Sequence, residues 1–319
     1  MRALVGFLAA GAVLASAAWT AAVPAPPVAE GSLGTSTISA GGFPKTVVDP
    51  LGVRATLRAP PQRIVSIELS GDELLLGLVD PARLAGVTPY VDDPATSPSQ
   101  PLAPASAARV SEEDPEALLS LRPDLVVTAG YTHAEVIVLL EAAGVPVLGT
   151  GAHGSLDDVL GAITTLGQAV GEPARADAWV ATLRARMQAV QSRPAPAQPP
   201  RVLLWESGFT YAAGTLQDDL LRRAGGIDVA TEAGQRGPVA ITEEAAVAMA
   251  PDLVIVPVDA LTPRWHDATL VGDAPVWRAV KAVREGRVYG VPRAWIGSVS
   301  HHAVRALEAM ADILRDPGP

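Results

Sequence analysis

Residues 116–127 read EALLSLRPDLVV, and residues 244–255 read EAAVAMAPDLVI. Each copy is a Glu, a short apolar-rich run, Pro-Asp-Leu-Val and a β-branched finish. Pro123-Asp124 returns as Pro251-Asp252, 128 residues later. Asp114 stands ahead of the first copy as a helix cap, with Pro115 at the first helical position and Glu116 in the first turn. Leu125 to Val127 then reads as a buried strand. A capped helix, a turn at X-Pro-Asp and a buried parallel strand make one α/β unit, so two copies predict two α/β lobes.

The flanking sequence alternates in the same way. Arg63 to Ile67, Leu84 to Thr88, Leu125 to Val127 and Val145 to Leu148 read as strands. Asp72 to Val79 and Glu135 to Ala143 read as helices by the spacing of their apolar residues. Beyond residue 200 the strands are Val202–Trp205, Leu253–Val256 and Arg287–Gly290, and the helices are Leu216–Ala224, Glu243–Met249 and His301–Leu314. Nearly continuous apolar strands alternating with helices predict parallel sheets covered on both faces. Between the halves, Leu156, Val159, Leu160, Ile163, Leu166 and Val170 form one apolar stripe behind Ser155 as N-cap. Gly171-Glu172-Pro173 interrupts it, and Trp179, Leu183, Met187 and Val190 continue a second stripe up to the Pro-rich exit SRPAPAQPP (192–200). A helix of about 18 residues spans about 27 Å, enough to hold two small lobes at a fixed separation.

Composition narrows the function. Charged residues make up 18% of the chain and the net charge is −10, which argues against nucleic acid and an anionic membrane surface. There is no cysteine, so disulfides, thiolate metal sites, a Cys nucleophile and lipoprotein-type lipidation are excluded. Residues 1–23, with Arg2 and the apolar run from Ala3, read as a signal peptide or an uncleaved anchor, followed by a Pro/Gly/Ser-rich tether over 24–44. The lobes are expected at 45–154 and 200–316, with the helical connection at 155–193.

The ordered segments RIVSIELSGDELLLGLV (63–79), EALLSLRPDLVVTAG (116–130), LEAAGVPVLGT (140–150), SLDDVLGAITTLGQAVG (155–171), LQDDLLRRAGGIDVA (216–230), EAAVAMAPDLVIVP (244–257) and AVREGRVYGVP (282–292) carry a resemblance. The chain resembles the helical-backbone substrate-binding proteins of ABC importers for iron–siderophore complexes, haem and cobalamin. The resemblance implies two Rossmann-like lobes with parallel sheets, bridged by a long α-helix, holding a ligand in the cleft between them. It implies a monomer that serves an ABC permease dimer and its ATPase at the periplasmic or extracellular face. It also implies that Glu116 and Glu244 dock onto arginine pockets of the two permease subunits, one carboxylate for each half of a two-fold partner. The plainer reading of both is a first-turn acid favoured by the helix dipole.

In open α/β sheets a ligand sits outside the carboxyl ends of the strands. The loops there contain Tyr90, Tyr131, His133, Phe209, Tyr211, Arg293 and Trp295, and these with Arg236 are the candidate ligand-binding residues. Aromatics suit a large, partly planar ligand, and Arg236, Arg264 and Arg293 suit an anionic siderophore or haem propionates. Tyr90 and Trp295 match family positions, whereas Val110 and Pro238 stand where cobalamin binders carry Trp. His133, His153, His301 and His302 read as hydrogen-bonded loop histidines or, for His133 and Tyr131, as ligands to a bound iron. The residues lack the clustering a dedicated metal site needs, and no cofactor is implied. There is no P-loop, G-x-S-x-G or H-E-x-x-H, so an α/β enzyme is the weaker alternative, beside a membrane-anchored sensor or scaffold.

Overall fold

Apolar strands too short to shield themselves set this architecture, and the central ones are buried on both faces. The computed structural model describes residues 42–319 apart from Leu51, Tyr131, His133, Ala152, Ala195, Ala197, Pro317 and Pro319. The proposed signal peptide and most of the tether lie outside the described residues. The described residues all belong to a single body, Ser36–Pro319.

An antiparallel hairpin of β1 (Lys45–Val48) and β2 (Arg54–Leu57) leads in. The N-terminal sheet then comprises β3 (Ile64–Ser66), β4 (Leu84–Val87), β5 (Ala108–Arg109), β6 (Leu125–Thr128) and β7 (Val147–Gly149). All its pairings are parallel, in the order β5-β4-β3-β6-β7. Its helices are α1 (Leu69–Leu78), α2 (Pro115–Ser120) and α3 (Ala134–Ala142). Every residue of β3, β6 and β7 is buried, as a parallel sheet covered on two faces requires.

Two helices connect the halves. The helix α4 (Leu156–Val170) is capped by Ser155, whose hydroxyl accepts from the Asp158 amide, and it ends at Gly171 in the left-handed region (φ 81°). The helix α5 (Pro173–Gln191) has 19 residues, about 28 Å of rise. The C-terminal sheet comprises β8 (Arg201–Leu204), β10 (Ile227–Asp228), β12 (Leu253–Val258) and β13 (Val288–Pro292), parallel in the order β10-β8-β12-β13. A small hairpin of β9 (Phe209–Tyr211) and β11 (Pro238–Ala240) stands beside it. Its helices are α6 (Leu216–Ala224), α7 (Glu243–Ala248) and α8 (Ala303–Ile313). Among the described residues no helix is long and apolar enough to cross a membrane.

The connection is more than a strut. One apolar cluster runs without a break from Leu74, Leu75 and Leu78 of α1 through α4 and α5 to Leu220, Leu307, Ile255 and Tyr289. Trp179 of α5 lies so close to α1 that a Cβ on Gly77 would sit 2.3 Å from its ring. Arg186 of α5 and Arg193, just beyond its end, are tied to Glu308 and Asp312 of α8. Separating the halves would expose shared core, which opposes hinge motion more firmly than helix length alone.

The repeated phrase has a structural cause. In each half the six-residue helix is followed by a residue with positive φ, Arg122 (48°) or Ala250 (47°), and then by Pro-Asp. The Asp124 carboxylate accepts from the Gln62 and Arg63 amides (2.7 and 2.8 Å), and that of Asp252 accepts from the Arg201 amide (3.0 Å). The Arg63 and Arg201 guanidinium groups then donate to the helix-end carbonyls of Leu121 and Arg122, and of Met249 and Ala250. Pro-Asp therefore pins the start of the neighbouring strand, and an arginine from that strand closes the helix.

Candidate functional site

The strand order of each sheet reverses once, and a crevice opens outside the strand ends at that point. In the N-terminal sheet the reversal lies between β3 and β6, and in the C-terminal sheet between β8 and β12. The residues that leave the carboxyl ends there are Glu68 and Ala129 in the first, Glu206 and Asp259 in the second.

The C-terminal crevice carries a connected group of side chains. The Tyr211 hydroxyl donates to Glu206 Oε2 at 2.5 Å. Arg293, leaving β13, donates through Nη1 to Glu206 Oε1 and through Nε to Asp259 Oδ1, the latter at 2.8 Å. Phe209 is fixed against Glu206 by a pair of backbone hydrogen bonds (2.9 and 3.0 Å). Burial raises the pKa of the Tyr211 phenol, so it remains a donor at neutral pH. The group is reachable: the side chains of Glu206 and Arg293 are 24% and 37% exposed.

The same position in the N-terminal half is sealed. Glu68 is buried and caps α1, accepting from the Ser70 and Gly71 amides and from the Ser70 and Thr150 hydroxyls. Glu68 and Glu206 close two matching phrases, RIVSIE (63–68) and RVLLWE (201–206), whose arginines are the pair that closes α2 and α7. This second repeat is present in the sequence, but a search for aromatics and cations does not point to its Glu. Tyr90 lies on the N-terminal rim, 55% exposed, beside the ion pair Arg109–Asp92 (2.7 Å). His153 follows β7, and burial lowers its pKa, which keeps the ring neutral.

Of the sequence candidates, the structure joins Phe209, Tyr211 and Arg293 into one group through Glu206. Arg236 is exposed just ahead of β11 and forms an isolated bridge with Ala213, two residues beyond Tyr211. Trp295, two residues after Arg293, lies under the Arg305 guanidinium (5.9 Å to the ring centroid), in an open groove of about 410 Å³ shared with Arg186, Trp265 and Glu308. Tyr131 and His133 lie outside the described residues. Among the described residues no group of three or more His, Asp or Glu side chains is placed to hold a metal ion.

The floor between the halves is polar and buried. Glu73 of α1 is fully buried and accepts from Ser97 at 2.6 Å within its own half. Across the divide it accepts from Ser298 (2.6 Å) and Ser300 (2.5 Å), which precede α8. Burial raises its pKa, and the three hydroxyls oppose the rise. Beside it the His302 ring bonds the Ser99 hydroxyl (2.8 Å), and His301 stacks edge-on to Trp179 (4.7 Å). Burial lowers both histidines, to about 3 for His301 and about 2 for His302. They are neutral loop-to-helix residues rather than charges at the start of α8.

Glu116 and Glu244 occupy equivalent first turns of α2 and α7, whose N-caps Asp114 and Thr242 accept from the Ala117 and Ala245 amides. Both glutamates are exposed, and among the described residues neither forms an ion pair.

The family described as "Periplasmic binding protein" matches residues 64–294. A cobalamin-binding protein of Halobacterium salinarum is 26% identical over 274 residues, covering 85% of this chain and 74% of its own length. The Bacillus subtilis YvrC, an uncharacterised ABC transporter substrate-binding lipoprotein, is 26% identical over 284 residues, with 85% of each chain covered. Among solved structures, the apo form of the periplasmic haem-binding protein RhuT from Roseiflexus superposes with a TM-score of 0.65 at 25% identity, covering 79% of this chain and 97% of that one.

Proposed function

The chain belongs to the periplasmic binding protein family, and from that membership we propose that it is the extracytoplasmic substrate-binding component of an ABC importer. In this reading it captures a metal chelate, haem or a corrinoid in the cleft and delivers it to a permease dimer coupled to an ATPase. The lobes are assigned to residues 45–154 and 200–316, with 155–193 connecting them. Residues 1–23 direct export, and the 319 residues offer no cysteine for lipid attachment. Glu116 and Glu244 are the docking pair.

The observation that carries the reading is the crevice group Phe209–Tyr211–Glu206–Arg293. It offers an aromatic and hydrogen-bonding lip where a doubly wound sheet takes its ligand, and matched relatives bind cobalamin and haem. Tyr90 and, by sequence, Tyr131, His133, Arg236 and Trp295 complete the proposed ligand set. Native mass spectrometry of the protein purified from its source tests the class. The expected result is a 1:1 adduct with the mass of a metal chelate, haem or corrinoid. An adduct of another class, such as an oligosaccharide or a peptide, contradicts it.

A further inference from the structure

Arg293 looks, from sequence, like a cation waiting for an anionic ligand. The structure gives it two carboxylates instead. Its Nη1 is on Glu206 and its Nε on Asp259, so its charge is already met from both sides of the switch point between β8 and β12. The Glu206 carboxylate is itself half engaged by Tyr211. The lip therefore holds two carboxylates against one guanidinium. Asp259 is the more open of the two, with its side chain 72% exposed.

The surrounding charges do not reverse this. On the opposite rim Arg109 is spent on Asp92, and Asp93 beside it is exposed. Arg264 lies 3.5 Å from Asp267. His153 is kept neutral by burial. Arg236 is exposed next to Ala213; counted in full it offsets only one of the two excess negative charges, that of Asp93 and that left on the Glu206–Arg293–Asp259 group. The chain as a whole carries −10, so its long-range field also repels anions.

We infer that Glu206 and Asp259 are specificity-determining residues that make the cleft select neutral or cationic metal complexes and reject polyanionic ones. The inference rests on the proposed reading of the cleft as the ligand site and narrows it. A corrinoid or a neutral ferric trihydroxamate fits this lip. A ferric tris-catecholate trianion brings its charge against two carboxylates that already share the Arg293 guanidinium. Haem propionates meet the same obstacle.

The test compares ligands of different charge on the full chain. Dissociation constants are measured for cyanocobalamin and ferrichrome, both neutral, and for ferric enterobactin, a trianion, on the parent, on Glu206→Gln and on Asp259→Asn. Glu206→Gln keeps an acceptor for Tyr211 and removes one of the two carboxylates that hold Arg293. Asp259→Asn changes an exposed side chain and protects the test should the first variant fold poorly. The parent is expected to bind a neutral complex at least about 100-fold more tightly than the trianion. Each variant is expected to shrink that ratio by roughly 10–100-fold, the size expected for two unit charges about 6–12 Å apart at an effective dielectric near 20. Added salt is expected to shrink it in the parent too. A parent that prefers the trianion, or a ratio unmoved in both variants, overturns the inference while leaving the ligand site intact. No binding of any probe overturns the underlying reading as well.

Discussion

The double variant Glu116→Arg/Glu244→Arg is expected to lose uptake almost completely while its ligand affinity stays within about twofold of the parent. The two carboxylates stand at equivalent first turns of α2 and α7, exposed and without an ion pair among the described residues. Each helix is held by its own N-cap, Asp114 or Thr242, so the glutamates are dispensable for the helices they stand on. Removing one partner of a hydrogen-bonded charge pair at an interface costs about 2–5 kcal/mol, and placing a like charge against an arginine pocket adds to that. Each single reversal is therefore expected to lower permease affinity by about 30-fold or more, and the double variant to leave no measurable transport. Uptake into proteoliposomes and affinity for the detergent-solubilised permease check this. Unaltered uptake contradicts the docking role.

Glu73→Ala is expected to destabilise the fold by about 3 kcal/mol, through loss of the acceptor and stranding of buried hydroxyls. Ser97, Ser298 and Ser300 all donate to this carboxylate, and two of the three reach it from the other half of the molecule. After truncation Ser298 and Ser300 can still pair with each other at 2.6 Å, which limits the loss. Glu73→Gln keeps the volume and one acceptor, and is expected to cost about 1–2 kcal/mol. Burial raises the pKa of Glu73, so its proton is bound more tightly in the folded state. Its contribution is thus largest at low pH and is lost as pH rises through the raised value. The stability gap between parent and Glu73→Gln is expected to widen in the parent's favour as pH falls towards the ordinary 4.5. Urea unfolding at several pH values measures both effects. A gap that narrows on acidification contradicts this account of Glu73.

The legible part of the fold rests on period and punctuation. The buried strands stand out as apolar runs, and Ser155 and Gly171 bound α4 by ordinary cap chemistry. Apolar spacing puts the start of α1 at Asp72, whereas the helix starts at Leu69. Its cap is Glu68, an unusual capping residue, and the intervening Ser70 and Gly71 are weak helix formers. Pro-Asp is visible twice, but its partners Arg63 and Arg201 are not, because each lies about 50 or more residues away in sequence and the bond exists only after the strands align. The shared core between the halves is invisible for the same reason.

The site shows a different limit. Aromatic scarcity points to Phe209 and Tyr211. It does not point to Glu206, which links them to Arg293, since a single glutamate after a strand has no distinctive signal. Only its match to Glu68 at the end of RIVSIE and RVLLWE marks it, and that match leads to a buried cap in one half and an open lip in the other. Loop position marks Trp295 as well, but not its contact with the Arg305 guanidinium, which comes from α8.

The most direct test is an equilibrium titration of the purified chain with cyanocobalamin, haemin and a neutral ferric trihydroxamate. It is followed by the fluorescence of the tryptophans, of which Trp205 adjoins Glu206 at the C-terminal crevice. Saturable quenching with 1:1 stoichiometry by at least one of them, weakened about tenfold or more by Tyr211→Ala as expected for a lost aromatic contact, is the predicted result. No saturable response to any of the three contradicts the reading of this protein as a metal-chelate or corrinoid carrier.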